Sequence, residues 1–356
     1  MPAPFDRLVN RLATRHSSRR AVNSGMLALL IGGVLAGRTH GASASRRQDD
    51  ACSLGCTDST CGEVPPGCPI YPPDNIWNTA IAMLPVVAES DAYVASIGLD
   101  TSLHPDFGAG LYEGFPLGIP FVRVPADQPP VAVTFDVPEE SDPGPYPIPP
   151  DAPIEGGSCG EGDRHVIVVQ EGTCLLYELY DATHQPDGSW TAYAGARFDL
   201  STNDLRPAEW TSADAAGMAI LPGLIRYDEI AAGVIPHALR FTASATREDF
   251  VWPARHQAGS TTEATVPPMG QRFRLKADVD ISGFSSVNQI ILTALKTYGM
   301  LLADNGSDWF LSGAPDDRWD NDDLHALQEG IVGSDFEAVD CSSLMVDPDS
   351  GQASPA

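Results

Sequence analysis

Residues 165–180, HVIVVQEGTCLLYELY, decide the fold class. Two runs rich in β-branched and aromatic residues, 165–169 and 174–180, flank Gln170-Glu171-Gly172-Thr173. A short polar segment with a glycine between two such runs predicts a β-hairpin. Working outward, residues 121–125, 131–137, 190–200, 238–243, 250–252 and 272–277 read as further short strands. Residues 300–303 and 309–311 flank Asp304-Asn305-Gly306-Ser307, a turn signal that predicts a second hairpin.

Helices are few. Residues 285–298 place Val287, Ile290, Ile291, Ala294, Leu295 and Tyr298 on one apolar face, with Gly299 suited to the C-terminal cap. Shorter helices are expected at 91–97 and 322–329, and helical turns at 212–217 and 226–232. The segment 139–157, EESDPGPYPIPPDAPIEGG, holds six prolines, which exclude regular helix and central strand. It reads as an exposed linker or as a rigid loop walling a cleft. Many short strands with Gly/Pro punctuation predict a mainly β fold, a β-sandwich or jelly-roll-like core with long loops.

The N-terminus reads as a targeting segment. Arg7, Arg11, Arg15, Arg19 and Arg20 precede an uncharged, largely apolar run at 25–37, and Ala42-Ser43-Ala44 follows at the spacing of a signal-peptidase site. The run is too short for a stable membrane span, so residues 1–44 are expected to be cleaved. Ser18-Arg19-Arg20 resembles a twin-arginine export signal, although Val22-Asn23 stands where Phe-Leu is usual. Residues 45–73 form a Cys/Pro-rich lead-in, 74–340 a single β-rich domain and 341–356 a C-terminal tail. A secreted bacterial protein, free of the membrane after cleavage, is the expectation.

The chain carries 21 basic and 48 acidic residues, a net charge of −27. Removing 1–44 takes away six basic and one acidic residue, which brings the net charge near −32. Such a field disfavours nucleic acid, anionic lipid and polyanionic substrates. All seven cysteines follow the cleavage site, and Cys52, Cys56, Cys61 and Cys68 are clustered. In an exported chain they predict disulfides, two of them within the cluster, rather than zinc.

GDRHVIVV (162–169), LYELYDA (176–182), WTSADAAGMAILPGLIRYDEIAAGVIPHALRFT (210–242), FVWPARH (250–256), PPMGQRFRLKA (267–277) and ALKTYGMLLADNGSDWFLSGAPDDRW (294–319) together resemble a widespread family of exported bacterial proteins. Its members are described chiefly as hypothetical or secreted. The resemblance spans about residues 70–340. It implies an extracytoplasmic life and no established reaction, so no catalytic residue is carried over.

Candidate chemistry rests on the residues. His165, His237 and His256 stand at strand ends beside charged neighbours, and Arg240 follows His237. Asp214 lies among small residues, where a carboxylate is easily reached or caps a helix. We expect at least two of His165, Asp214, His237, Arg240 and His256 to share one pocket. Glu178 and Asp181, three apart on a strand, should face opposite sides and so not form one dyad. Trp210 and Trp319, in polar loop-like contexts, are the candidates for exposed platforms that stack on sugar rings. Asp316, Asp317, Asp320, Asp322 and Asp323 form an acidic cluster compatible with calcium or with a helix start. No other cofactor is expected, and no phosphate loop, dinucleotide fingerprint or serine-nucleophile elbow is present.

These features lead us to expect a secreted carbohydrate-active enzyme, a hydrolase of an extracellular polysaccharide or oligosaccharide. A non-catalytic glycan-binding or cell-surface module is the main alternative, and hydrolysis of another extracellular polymer a weaker one.

Overall fold

The computed structural model describes residues 61–355. The targeting segment expected at residues 1–44 and the first part of the expected 45–73 lead-in lie outside the described residues. Among those described, no helix is long and apolar enough to cross a membrane.

The fold is mainly β. In chain order the strands are β1 (His104–Asp106), β2 (Leu111–Tyr112), β3 (Phe115–Pro116), β4 (Val122–Val124), β5 (Val133–Phe135), β6 (Val166–Gln170), β7 (Leu175–Tyr180), β8 (Thr183–His184), β9 (Trp190–Ala192) and β10 (Ala194–Asp199). They continue with β11 (Leu239–Ala243), β12 (Arg272–Leu275), β13 (Met300–Asn305), β14 (Phe310–Ser312) and β15 (Phe336–Val339). A six-stranded sheet has the order β1-β14-β11-β13-β12-β15, and a four-stranded sheet the order β10-β7-β6-β4. A three-stranded sheet, β5-β9-β8, and the β2-β3 hairpin complete the set. Parallel pairs occur in the three larger sheets, at β1/β14, β11/β13, β4/β6 and β5/β9.

The β6–β7 hairpin forms as its pattern predicts. Its apolar run is buried on both faces, which explains why hydrophobicity is continuous there rather than alternating. Ile167 and Val169 face the main core, whereas Val166 and Val168 join a second one with Tyr146, Ile148 and Trp190. The proline-rich 139–157 segment is therefore no solvent-exposed linker: Tyr146, Ile148, Ala152 and Ile154 pack on the outer face of the four-stranded sheet. In the main core, Trp309 stacks between Phe241 and Phe336 and meets Phe273 edge-on.

Four α-helices are described: α1 (Ser90–Ile97), α2 (Tyr227–Ala232), α3 (Ser286–Thr297) and α4 (Asn321–Gly330). The Ser285 hydroxyl caps α3 by accepting from the Asn288 amide, and Gly299 leaves it with φ +67°.

Several expectations change. β13 and β14 do not form a hairpin, because β11 lies between them, parallel to β13 and antiparallel to β14. A buried strand from elsewhere satisfies both ladders and outcompetes the local turn. Residues 250–252 make only an isolated bridge, Phe250 to Met269. Within residues 212–217 a single hydrogen-bonded turn forms, the Gly217 amide donating to Asp214 O at 3.0 Å, and no helix follows. Residues 341–355 pack on the domain: Leu344 and Ala353 are buried, Gln352 pairs with Asn75, and Trp252 Nε1 donates to Ser350 O at 2.8 Å. Cys68 leaves its cluster to bridge Cys174, 106 residues away, while Cys61 and Cys159 are also disulfide-bonded and Cys341 is free.

Candidate active site

The site grows from a loop that ought to be on the surface. Residues 211–226 are buried almost without a break, although most of them lie outside any strand or α-helix. Small side chains at Ala213, Ala215, Ala216 and Gly217 let this backbone pack closely. Gly217 has φ +69°, and a Cβ there would lie 2.5 Å from Trp210 O. Buried peptide groups need partners, and here side chains from distant strands supply many of them.

Glu178, at the centre of β7, accepts from the Ile220 amide at 2.9 Å and the Leu221 amide at 3.0 Å. His165 Nε2 lies 3.0 Å from Ala213 O, and His256 Nδ1 lies 2.9 Å from Ala215 O. The Ala216 amide donates to Ala303 O of β13 at 2.9 Å.

Held by this loop, Asp214 receives a two-pronged contact from Arg240 of β11: Nη2 to Oδ1 at 2.9 Å and Nε to Oδ2 at 3.3 Å. Arg240 Nη1 donates to the Ser312 hydroxyl of β14 at 2.5 Å, and Asp304 of β13 lies 3.7 Å from Nη2. Adjacent strands thus bring Arg240, Asp304 and Ser312 together, and the hairpin's β6 brings His165. On its far side His165 meets Glu155, with Nδ1 to Oε2 at 2.7 Å. Arg240, Asp214 and His165 are buried, whereas Glu155, Asp163 and Asp304 are partly exposed and form the outer edge.

The electrostatics follow from an excess of carboxylates over cations. Burial raises the Asp214 carboxyl, against the pull of Arg240. Burial and the neighbouring Asp214 hold Asp304 well above the usual carboxylate range. Burial lifts Glu178 to about 7 despite its two amide donors. For His165, burial works downward, but Glu155 and Asp163 outweigh it and bring the imidazole up to about 9. With both ring nitrogens facing oxygen acceptors, its protonated form has two bonds to donate.

Of the five expected residues, His165, Asp214 and Arg240 therefore share one network, and His256 meets the same loop one residue along. His237 does not join them. It sits in a second buried cluster, with Nε2 2.9 Å from Glu229 Oε1, and Glu229 is hydrogen-bonded to Arg226. Trp319 is no exposed platform: it is buried between Phe107 and Tyr227, and its indole N–H donates to Ala314 O at 3.1 Å. Trp210 is half-buried, with the Arg206 guanidinium 5.6 Å from its ring centre. In the acidic cluster, Asp316 pairs with Arg318, Asp320 caps α4 and Asp323 accepts from the Ser285 hydroxyl. Among the described residues, no group of three or more His, Cys, Asp or Glu is placed to hold a metal ion.

Asp304, Glu155 and Ser312 are the members that sequence reasoning missed. Asp304 was hidden by its place in a turn signal, DNGS, and Glu155 by its proline-rich surroundings. No family profile, characterised protein or solved structure matches the chain.

Proposed function

We propose that this protein is a secreted carbohydrate-active enzyme, a hydrolase of an extracellular polysaccharide, working at the outer edge of the Asp214–Arg240–Asp304 cluster. One observation carries the reading: Asp304, 15 % exposed at its side chain, stands beside Asp214 at the edge of the cluster, and burial and that second carboxylate push its carboxyl well above the usual range. Glycoside hydrolysis needs one carboxyl that is protonated and one that is ionised. In this reading Asp304 gives its proton to the glycosidic oxygen as that oxygen leaves the anomeric carbon. A water then attacks the anomeric carbon and loses its proton to Asp163, which is half-exposed and whose charge acts on both Asp304 and His165. Exchange with solvent restores both groups. Arg240 and His165 hold the surrounding carboxylates in place.

Export fits the disulfide between Cys68 and Cys174, since such bonds persist in oxidising compartments. We also read the two larger sheets, which share one apolar core, as a sandwich-like arrangement.

The test is a polysaccharide panel with the purified mature protein, with and without chelator. Asp304→Asn should retain the fold and lose about 10²–10⁴-fold in turnover. An Asp304→Asn protein as active as the parent would sink the assignment.

A further inference from the structure

The β2–β3 hairpin leaves three large apolar side chains in solvent. Leu111, Tyr112 and Phe115 are exposed, the last two at 63 % and 43 %. Glu113 and Gly114, both with positive φ, make the tight two-residue turn between the strands. In the hairpin register Tyr112 stands directly opposite Phe115. Directly opposed residues project from the same face, so both aromatic side chains belong to one surface of the arm.

The base of this arm is fixed. Ala109 is bracketed by Asn321, whose Oδ1 accepts from its amide at 2.9 Å and whose Nδ2 donates to its carbonyl at 3.0 Å. At the other side the Ile119 amide donates to Gly313 O at 2.9 Å, and a Cβ at Gly118 would lie 2.5 Å from that same oxygen. The arm is thus a short, preorganised projection, which lowers the entropic loss on binding. It also leaves the six-stranded sheet from the candidate site's end: β1 precedes it, and in β1 Asp106 is in register with Ser312, the partner of Arg240.

We propose that this arm docks a polysaccharide, with Tyr112 and Phe115 stacking against the C–H faces of uncharged sugar rings. The inference takes its class of partner from the carbohydrate reading above. Charge selects the occupant. No Lys or Arg occurs between residues 104 and 122 and Glu113 sits at the tip, while at the base the charge of Asp316 is offset by Arg318. An anionic polymer or lipid surface meets repulsion there, and a second copy of the chain brings the same charge of −27. Two exposed aromatic rings carried on one face of the arm suit the apolar C–H face of a sugar.

Depletion of the full mature protein from solution by insoluble cellulose, chitin and starch granules tests this, with Asp304→Asn used so that no probe is consumed. Binding to at least one probe is expected, weakened about tenfold by adding Tyr112→Ala and Phe115→Ala and unchanged by raised salt. Equal thermal melting of the two proteins excludes misfolding as the cause. Arm-dependent binding, together with no hydrolysis of any probe by the protein that keeps Asp304, upholds the arm and refutes the hydrolase. Turnover of a glycan, with binding indifferent to the two substitutions, refutes the arm and leaves the hydrolase standing. Binding to none of the probes, binding abolished by salt, or an arm-dependent dimer in ultracentrifugation without glycan each overturns the proposal.

Discussion

Two buried clusters in this molecule use the same residue types and reach opposite electrostatic states. In one, Arg226, Glu229 and His237 face each other. Burial works to raise Glu229, but Arg226 and His237 outweigh it and hold the carboxyl below its ordinary value. In the other, Arg240 and His165 stand among Asp214, Asp304, Glu155 and Asp163, and the Asp214 and Asp304 carboxyls are held above theirs. Glu229 and Asp214 are both buried, so burial alone does not separate the two carboxyls. The ratio of carboxylates to cations does. Where the cations match or outnumber the carboxylate, as around Glu229, its carboxyl is pulled down; where carboxylates outnumber the cations, as around Asp214 and Asp304, they are pushed up. This is why the first cluster, despite its histidine, carries no functional proposal.

The largest expected effect tests the Arg240 cluster as a unit. Arg240→Ala leaves Asp214 buried without its main partner and should destabilise the fold by about 3–5 kcal/mol, read as a lower urea midpoint. A shift under about 1 kcal/mol would mean that Asp214 is neutral and self-sufficient there, and the contrast with Glu229 would lose its basis.

The dependence on pH is spread over a wider range. Glu178 titrates at about 7 in the folded protein against an ordinary value of 4.5, so the folded state binds the extra proton. Stability from this group therefore falls as pH rises from about 4.5 to about 7, by at most about 1.4 kcal/mol per pH unit. His165, raised from 6.5 to about 9, contributes fully below 6.5 and loses that contribution as pH rises to about 9. Thermal melting should thus decline across the whole neutral range. Glu178→Gln keeps an acceptor for the two amides and should flatten the lower part of that decline; an unchanged profile counts against the raised value.

The smallest effect sharpens the comparison from the other side. His237→Ala leaves Glu229 paired with Arg226, so about 1 kcal/mol of stability should be lost, with turnover of any glycan substrate unchanged. A His237→Ala variant that folds and loses turnover would move the active site to the Glu229 cluster.

What was legible in the sequence is what depends on neighbours along the chain. The β6–β7 hairpin and α3 follow from apolar periodicity and from turn and cap residues within a few positions, and both form where the pattern places them. His165, Asp214 and Arg240 could be singled out as candidates because of residue type and position near strand ends. Their convergence could not be read, since Asp214 and Arg240 lie 26 residues apart and Ser312 a further 72 beyond Arg240. Local signals misled where a distant strand or core offered a stronger partner. The DNGS turn yielded to β11, and Trp319, set among aspartates, went inside because Phe107 and Tyr227 cover it. Charge state was the furthest from view: a carboxyl's pKa is set by burial and by the net charge within a few ångströms, and only tertiary structure chooses those neighbours. The sequence alone thus determined the β character, the principal helix and the strongly acidic field, because each is a sum over local residues. Tertiary structure alone decided that Asp304 stands beside Asp214 and Arg240 while Glu229 stands between Arg226 and His237, because pairing across strands depends on the order in which the strands lie in the sheet.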